Sequence, residues 1–549
     1  MTGAPAGGGP GEIRSGATLR PAVAGRSLFD YADDLAVQMP ASCQRSGRCH
    51  ECVVEVTEGG DALSRPTAPE DFLRVPYRLA CQAFIEDAAE SVEFAPLRRR
   101  LRILRGDLGE GAAPEAPDSP VRRSATGVTY DGVPLDSDRG RALGLAIDVG
   151  TTTVVIELID LETGALVANG AIENPQRFGG SDVMNRISYD EHAPGELRRA
   201  LVHAMNPEIR ALCREAGVDR RVIYEAYVVG NATMRDLFFG IDVQPIGQKP
   251  YRSRIESELL DGRRATTALE ERAHRIGLWM HPQGRVLSAP LIASHVGADV
   301  AADLVAIDAA AVTGSWMLVD VGTNTEVVVG AGGRLLAASC PAGPAFEGGL
   351  VRYGMPGAEG AIERATIGPA GAWQLQTIGD VPPEGICGSG LIDVLAELGR
   401  HRRMTPLGVF ADHAREIVVE PDRGITLSRE DASNLAQAKA ANACGQQILL
   451  RELGVAAADL DRAYLAGGFA THVDVDNAIA IGFLADARRD RVVKVGNASI
   501  RGARLLLLSR LRREALERLV RRIEHVELET TPDFFELFVE ACQFKPIAA

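Results

Sequence analysis

Two sets of residues in this chain have the types and spacings that chemistry requires: a series of cysteines and a pair of matching acidic stretches. Cys43, Cys49 and Cys52 are separated by five and then two residues, and Cys81 follows after 28 more. Thiolates hold iron only where several converge, and Gly47 within the series lets loop amides wrap around bridging sulfides. Three ligands on one loop and a fourth returning later fit a two-iron two-sulfur cluster, whose chemistry is the transfer of one electron. Plant-type ferredoxins place four residues, not five, between the first two cysteines. Zinc is the alternative reading, although zinc ribbons generally use two CxxC knuckles and Cys49 to Cys52 is the one present here.

The second set is a repeat. Asp148-Val149-Gly150-Thr151-Thr152-Thr153 recurs as Asp320-Val321-Gly322-Thr323-Asn324-Thr325, 172 residues further on. The apolar run before each Asp and the β-branched run after the last Thr predict strand, tight turn, strand. Such a turn gathers backbone N–H groups and Thr hydroxyls, the groups that hold phosphate oxygens, beside a carboxylate that can hold Mg²⁺. One copy alone reads equally well as an ordinary hairpin, but two facing each other would clamp a nucleotide. No Gly-Lys dipeptide occurs, which removes the P-loop as the phosphate-binding device. The pair resembles the two phosphate motifs of the acetate and sugar kinase, Hsp70 and actin superfamily.

At 549 residues the chain exceeds what one core organises, so several domains must position these groups. Residues 1–20 read as a low-complexity, disordered tail, 21–105 as the cysteine-bearing domain, and 106–140, rich in Gly, Pro, Ser and Asp, as a linker on which a redox head would swing. Residues 141–312 then form a first lobe and 313–549 a second. Leu28, Tyr31, Ala32 and Leu35 have helical spacing. Glu196 to Cys213 predicts a helix broken at Asn206-Pro207. Asn231 at a strand end reads as a helix cap rather than a ligand. Leu287 to Val305 predicts a strand, a small-residue turn and a helix reaching between the lobes. Gly388 and Ser389 open a helix, either as an anion site or as a close-packing turn. Leu465 and Ala466 end a strand before Gly467 and Gly468. The arginine-rich stretch 97–105 is a solvated domain edge or a docking surface for an acidic partner.

A net charge of −15 argues against nucleic acid as a partner. No apolar run of 18 residues and no segment of signal-peptide type occurs, so the expected location is cytoplasmic, away from membranes, with thiols reduced. Cys213, Cys340, Cys444 and Cys542 then read as buried small hydrophobes, and Cys387 has no base that would make it a nucleophile.

A ferredoxin-like head ahead of a nucleotide-splitting pair of lobes resembles the reductive activators of corrinoid enzymes. The resemblance runs from Ser27 onward and rests on the cysteine series with Tyr77-Arg78-Leu79-Ala80-Cys81, the two Thr-rich loops, Ala342 to Gly349, Gly385 to Gly390 and Leu465 to Phe469. It implies an α+β ferredoxin-like (β-grasp) N-terminal domain and an α/β two-lobed actin-like (duplicated RNase H-like) ATPase. It also implies a two-iron two-sulfur cluster on Cys43, Cys49, Cys52 and Cys81, together with ATP and Mg²⁺. Asp148 and Asp320 would be catalytic, positioning Mg²⁺ and water. Gly150, Thr151, Thr152, Thr153, Gly322, Thr323, Asn324, Thr325, Gly388 and Ser389 would bind phosphates, and Gly467, Gly468 and Phe469 the adenosine. The implied activity is ATP-dependent transfer of one electron to an inactive Co(II) corrinoid protein of a methyltransferase or demethylase system, restoring Co(I). The implied partners are that corrinoid protein and a reduced electron donor, with homodimerisation left open. Activation of another low-potential metalloenzyme, small-molecule phosphorylation and non-turnover sensing of nucleotide or redox state are the competing readings. The chain departs from the family in its first cysteine loop, where Gln44, Arg45, Ser46 and Arg48 replace a richer set of glycines.

Overall fold

The computed structural model of the chain describes residues 11–16, 18–37, 39–97, 100–101, 117–468 and 470–547. It divides into two compact units, one drawn from the chain up to Arg100 together with Ile172–Glu208, the other from Leu101–Ala171 and from Ile209 onward.

In the first unit Val53–Glu58 lies between Val92–Pro96 and Tyr77–Leu79, antiparallel to both. Glu12–Ser15 joins Val92–Pro96 in parallel, Ile13 opposite Val92, and folds back as Thr18–Pro21. Helix Leu28–Asp34 starts at a capping box in which Ser27 and Asp30 satisfy each other's amides. It buries Leu28, Phe29, Tyr31 and Ala32, as the strands bury Ile13, Val54, Leu79 and Phe94. One helix on a mixed five-stranded sheet is the β-grasp arrangement. The expected tail to residue 20 is corrected from Gly11 on, because Ile13 alternates with Glu12 and Arg14 and is wholly buried. Residues 1–10 lie outside the described residues.

The same unit contains a segment that the sequence reading assigns to the first lobe. Turn Pro175–Gly179 carries Phe178 edge-on to Phe72, Tyr77 and Tyr189, with ring centroids 6.2, 6.4 and 5.4 Å away. Arg177 pairs with Glu55 at 3.1 Å. Isolated aromatics reveal nothing in sequence about what they pack on, so the segment's attachment is not legible there. Helix Glu196–Glu215 also runs unbroken through Pro207, against expectation. Proline removes one N–H, and Leu201, Met205, Ile209 and Leu212, all wholly buried, hold both halves in line.

The second unit holds both lobes. The first-lobe sheet has the order Leu269–Arg272, Arg285–Ser288, Ile223–Val229, Leu143–Val149, Thr153–Asp160, Leu166–Glu173, and the second-lobe sheet Val492–Gly496, Arg462–Ala466, Trp316–Val321, Thr325–Ala331, Arg334–Cys340, Ile523–His525. Both are built on the same hairpin: Val149 faces Val154 in one, Val321 faces Thr325 in the other, and each first strand is flanked by a parallel strand, Ile223–Val229 or Arg462–Ala466. This is the duplicated two-lobed architecture.

Part of the expected linker belongs to this unit. Val121–Ser124, Gly127–Tyr130 and Val133–Asp136 form a three-stranded antiparallel sheet that buries Val121, Val128 and Tyr130. Asp131 and Gly132, at φ 50° and 78°, make the tight turn that an Asp-Gly pair favours. Tyr130 donates to Glu225 at 2.8 Å, and Arg513 pairs with the same carboxylate at 3.0 Å. Residues 106–116 of the expected linker, and 102–105 before it, lie outside the described residues. Cys213, Cys340 and Cys444 are buried, and Cys542 is half-buried.

Helices Ala298–Ala306 and Ala498–Leu508 pack on each other at very close range. A Cβ added to Gly502 would lie 2.0 Å from the carbonyl oxygen of Ala302, so only glycine admits the approach. Gly399, near the end of helix Gly388–Arg400, has open space around it. We predict that Gly502→Ala lowers the apparent Tm of the full chain by an amount equivalent to about 2 kcal/mol or more, by forced separation of the two helices. Gly399→Ala is neutral or stabilising by up to about 1 kcal/mol. Thermal unfolding followed by circular dichroism compares the two, and equal melting would refute the close-contact argument.

Candidate functional site

The four cysteines predicted as ligands meet in two pairs. Cys43 shares hydrogen bonds with Cys49, and Cys52 with Cys81. Burial opposes ionisation of Cys43, yet hydrogen bonds from Cys49, Ser46 and the Arg48 amide bring its thiol down to about 6. The Cys52 thiol and then the Gln82 side chain and Gly47 amide bring Cys81 to about 6 against burial. Cys52 is pushed up by its bond to Cys81 and by burial, and Cys49 chiefly by burial. Each pair therefore supplies two sulfurs side by side, with loop amides turned toward them. This fits a two-iron cluster, four thiolates for two irons, better than a preformed hydrophobic cysteine core.

The loop around them is held by position. Gln44, Arg45 and His50 take left-handed backbone at φ 54°, 64° and 58°, as does Gly47 at 78°. A Cβ on Gly47 would meet Pro69 at 2.9 Å. The side-chain amide of Gln82 donates to Arg45 O at 3.3 Å and to Cys81 Sγ at 3.5 Å. His50 stacks on Phe72 at 4.1 Å and contacts Glu196 at 2.9 Å. The loop thus does without the missing glycines by pinning non-glycine residues in strained conformations.

In the second unit the two repeated stretches become the expected hairpin turns. Gly150 N–H donates to Thr153 O at 2.9 Å and Gly322 N–H to Asn324 O at 3.0 Å. Asp148 and Asp320 end the first strand of each hairpin, and the structure brings them together with three carboxylates that sequence reasoning missed: Asp299, Asp303 and Glu326. Burial, then Asp299 and Asp320, raise Asp148 to about 8. Burial and Asp320 raise Asp299 to about 7, and burial with the charge of Glu347 raises Asp320 to about 6. Asp303 and Glu326, buried outright, lie well above the carboxylate range because of burial and then neighbouring acids. Asn497 bonds Asp148, Ser499 donates to Asp303 at 2.9 Å, and Ser339 donates to Glu326 at 3.2 Å. Like charges this close hinder one another's ionisation. Acids four residues apart in the otherwise apolar helix Ala298–Ala306 were the available sequence signal.

The remaining predicted residues fall around this cleft in different ways. Asn231 is the cap expected of it, accepting from Met234 N–H, and it also donates to Thr151 Oγ1 at 3.0 Å. Glu347, in the segment Ala342 to Gly349, accepts from Thr152 at 2.9 Å and from Thr323. Gly467 passes so close to the second hairpin that a Cβ would lie 2.1 Å from Val321 O, whereas Gly468 faces open space. Phe469 lies outside the described residues. Gly388 and Ser389 are buried at the helix start, and a Cβ on neighbouring Gly390 would meet Ile362 O at 2.1 Å, so Gly390 is needed for close packing. Among the described residues no helix is long and apolar enough to cross a membrane.

Comparison with known proteins covers both units. Residues 13–86 match the 2Fe-2S iron-sulfur cluster binding domain, 143–310 the RACo middle region, and 315–548 the C-terminal domain of RACo, the ASKHA domain. The chain is 26% identical to the corrinoid activation enzyme RamQ of Eubacterium limosum, over 94% of this chain and 96% of that one. It is 23% identical to a [Co(II) methylated amine-specific corrinoid protein] reductase of Methanosarcina barkeri, over 72% and 76%. A solved structure, the reductive activator for corrinoid,iron-sulfur protein, superposes with a TM-score of 0.71 at 27% identity, covering 98% of this chain and 99% of the other. The three matched regions follow one another in the order of the sequence motifs, and the chain belongs to the RACo family, the reductive activators of corrinoid proteins.

Proposed function

We propose that this chain is an ATP-dependent reductive activator that passes one electron from its iron-sulfur centre to a Co(II) corrinoid protein of a methyltransferase system, restoring Co(I). The observation that carries this reading is that one chain combines paired cysteine thiols with two matching hairpins meeting at a cluster of half-buried and buried carboxylates. When bound, the two-iron cluster supplies a one-electron reductant near about −400 mV. Each ~59 mV uphill costs a one-electron transfer tenfold in equilibrium, so a more negative cobalt couple needs another source of free energy.

The second unit is suited to provide it. Thr151, Thr152, Thr153, Thr323, Asn324 and Thr325 offer hydroxyls and amides to nucleotide phosphates around Gly150 and Gly322. Asp148 and Asp320, with Asp299 behind them, hold Mg²⁺ and orient water. Gly467 and Gly468 leave room for the adenosine. Nucleotide can change the outcome at cobalt only if its bound and free forms differ in affinity for the partner's oxidation states. Two lobes that each contribute one hairpin to the same phosphates give a closed form that exists only with nucleotide present. A reduced electron donor recharges the cluster. The relatives' names point to the corrinoid protein as the partner, and the net charge of −15 argues against nucleic acid in that role.

Asp320→Ala is expected to lower ATP hydrolysis by about tenfold or more through loss of charge stabilisation at the phosphates, leaving the visible spectrum of the cluster intact. A phosphate-release assay beside the absorbance spectrum checks both halves, and wild-type turnover would make the hairpin merely structural. For the electron, dithionite-reduced protein mixed anaerobically with a Co(II) corrinoid protein should yield the Co(I) absorbance band with ATP. Neither the ATP-free sample nor Cys49→Ala should do so. Equal reduction without ATP, or in the Cys49 variant, would exclude the proposed coupling.

A further inference from the structure

The carboxylate of Glu347 occupies the groups that the two hairpins offer to phosphate. Its Oε2 accepts from the hydroxyl of Thr152 in the first hairpin at 2.9 Å and from that of Thr323 in the second. Its Oε1 lies 4.0 Å from where a Cβ on Gly322 would stand, in the space that this glycine leaves open. A carboxylate and a phosphate ask for the same donors, and both bring negative charge. They cannot use Thr152 and Thr323 at once.

We propose that Glu347 is an internal stand-in for the terminal phosphate of the nucleotide, seated on both hairpins and displaced when ATP enters. The proposal rests on the reading of the hairpins as phosphate loops. The local fold suits a side chain that leaves while its backbone stays. Turn Pro344–Glu347 hangs between Gly343 and Gly348, both left-handed at φ 74° and 93°. A Cβ on Gly348 would lie 2.5 Å from Met355 N, and Phe346 is anchored edge-on to Phe483 at 5.0 Å. The carboxylate can be moved by rotation about its own side-chain torsions. The acids Asp320 and Glu326 stand near enough to repel it, so the hydroxyls that hold it there are what phosphate must take over.

This arrangement makes Glu347 a specificity-determining residue. ADP, which lacks the terminal phosphate, can bind while Glu347 keeps its place, whereas ATP must break both hydroxyl bonds and expel a like charge. Removing the carboxylate therefore favours ATP over ADP. The test is isothermal titration of the full, anaerobically purified chain, with magnesium present, with ATP supplied as its non-hydrolysable β,γ-imido analogue and with ADP, for wild type, Glu347→Ala and Glu347→Gln. Hydrogen bonds to a charged group are each worth about a tenfold change in affinity, so Glu347→Ala should bind ATP at least about tenfold more tightly than wild type and ADP within about twofold. Glu347→Gln, which keeps an acceptor and loses the charge, should fall between. An unchanged cluster spectrum and melting curve report that each variant is folded. ATP affinity unchanged or weakened in both variants would overturn the stand-in role while leaving the phosphate-loop reading intact. Absence of binding of either nucleotide to wild type and both variants would overturn that reading and the proposal with it.

Discussion

Asp148, Asp299, Asp303, Asp320 and Glu326 face one another where the two hairpins meet, and the charges of Arg235 beside Asp299 and Arg501 beside Asp303 offset only part of their mutual repulsion. Like charges repel strongly in a low-dielectric interior, and this repulsion together with burial raises these groups above the ordinary carboxylate range. A folded chain normally avoids such a cluster. Its presence means that much of the surrounding structure must resist the repulsion among these acids.

That resistance comes from packing and from ion pairs at a distance from the cleft. Asp299 and Asp303 ride on helix Ala298–Ala306, which Gly502 allows to lie against helix Ala498–Leu508 at backbone contact. The same C-terminal stretch is fastened to the first-lobe sheet by Arg504 on Glu157 and Arg513 on Glu225, both carboxylates fully buried. Loss of one partner from such a pair typically costs about 3–5 kcal/mol, because a charge is left without compensation. The pairs therefore fix the orientation of the helix that carries the acids, and each lobe's sheet is tied to helices contributed by the other half of the chain.

What the sequence made legible follows from which interactions are local. The hairpins were readable because strand, glycine turn and Thr-rich return lie within a few residues, and the repeat doubled the signal. The cysteines were readable because ligand spacing is a local constraint for three of the four. Asp299, Asp303 and Glu347 were not singled out, since an acid in an apolar helix or glycine segment gains meaning only when a second element is placed beside it. The strands at Val121–Ser124 and Gly127–Tyr130 were hidden by a composition rich in turn formers, although Asp131-Gly132 was a hairpin signal. The attachment of Phe178 and Arg177 to the cysteine-bearing unit depends on contacts more than 100 residues apart in the chain.

The cysteine loop shows how a departure from a family pattern is absorbed. Left-handed backbone at Gln44, Arg45 and His50 costs about 1 kcal/mol or more each, where glycine would cost almost nothing. The side chains that replace glycine recover part of that cost by contacts glycine could not make. Arg45 lies over the Phe29 ring at 4.1 Å and pairs with Asp30 at 2.9 Å, and His50 stacks on Phe72 and reaches Glu196. Those contacts fasten the loop to the helix beneath it and to segment 172–208, on either side of the thiols. A glycine-rich loop would have a freer backbone; this one gives up that freedom for a rigid frame around the paired sulfurs.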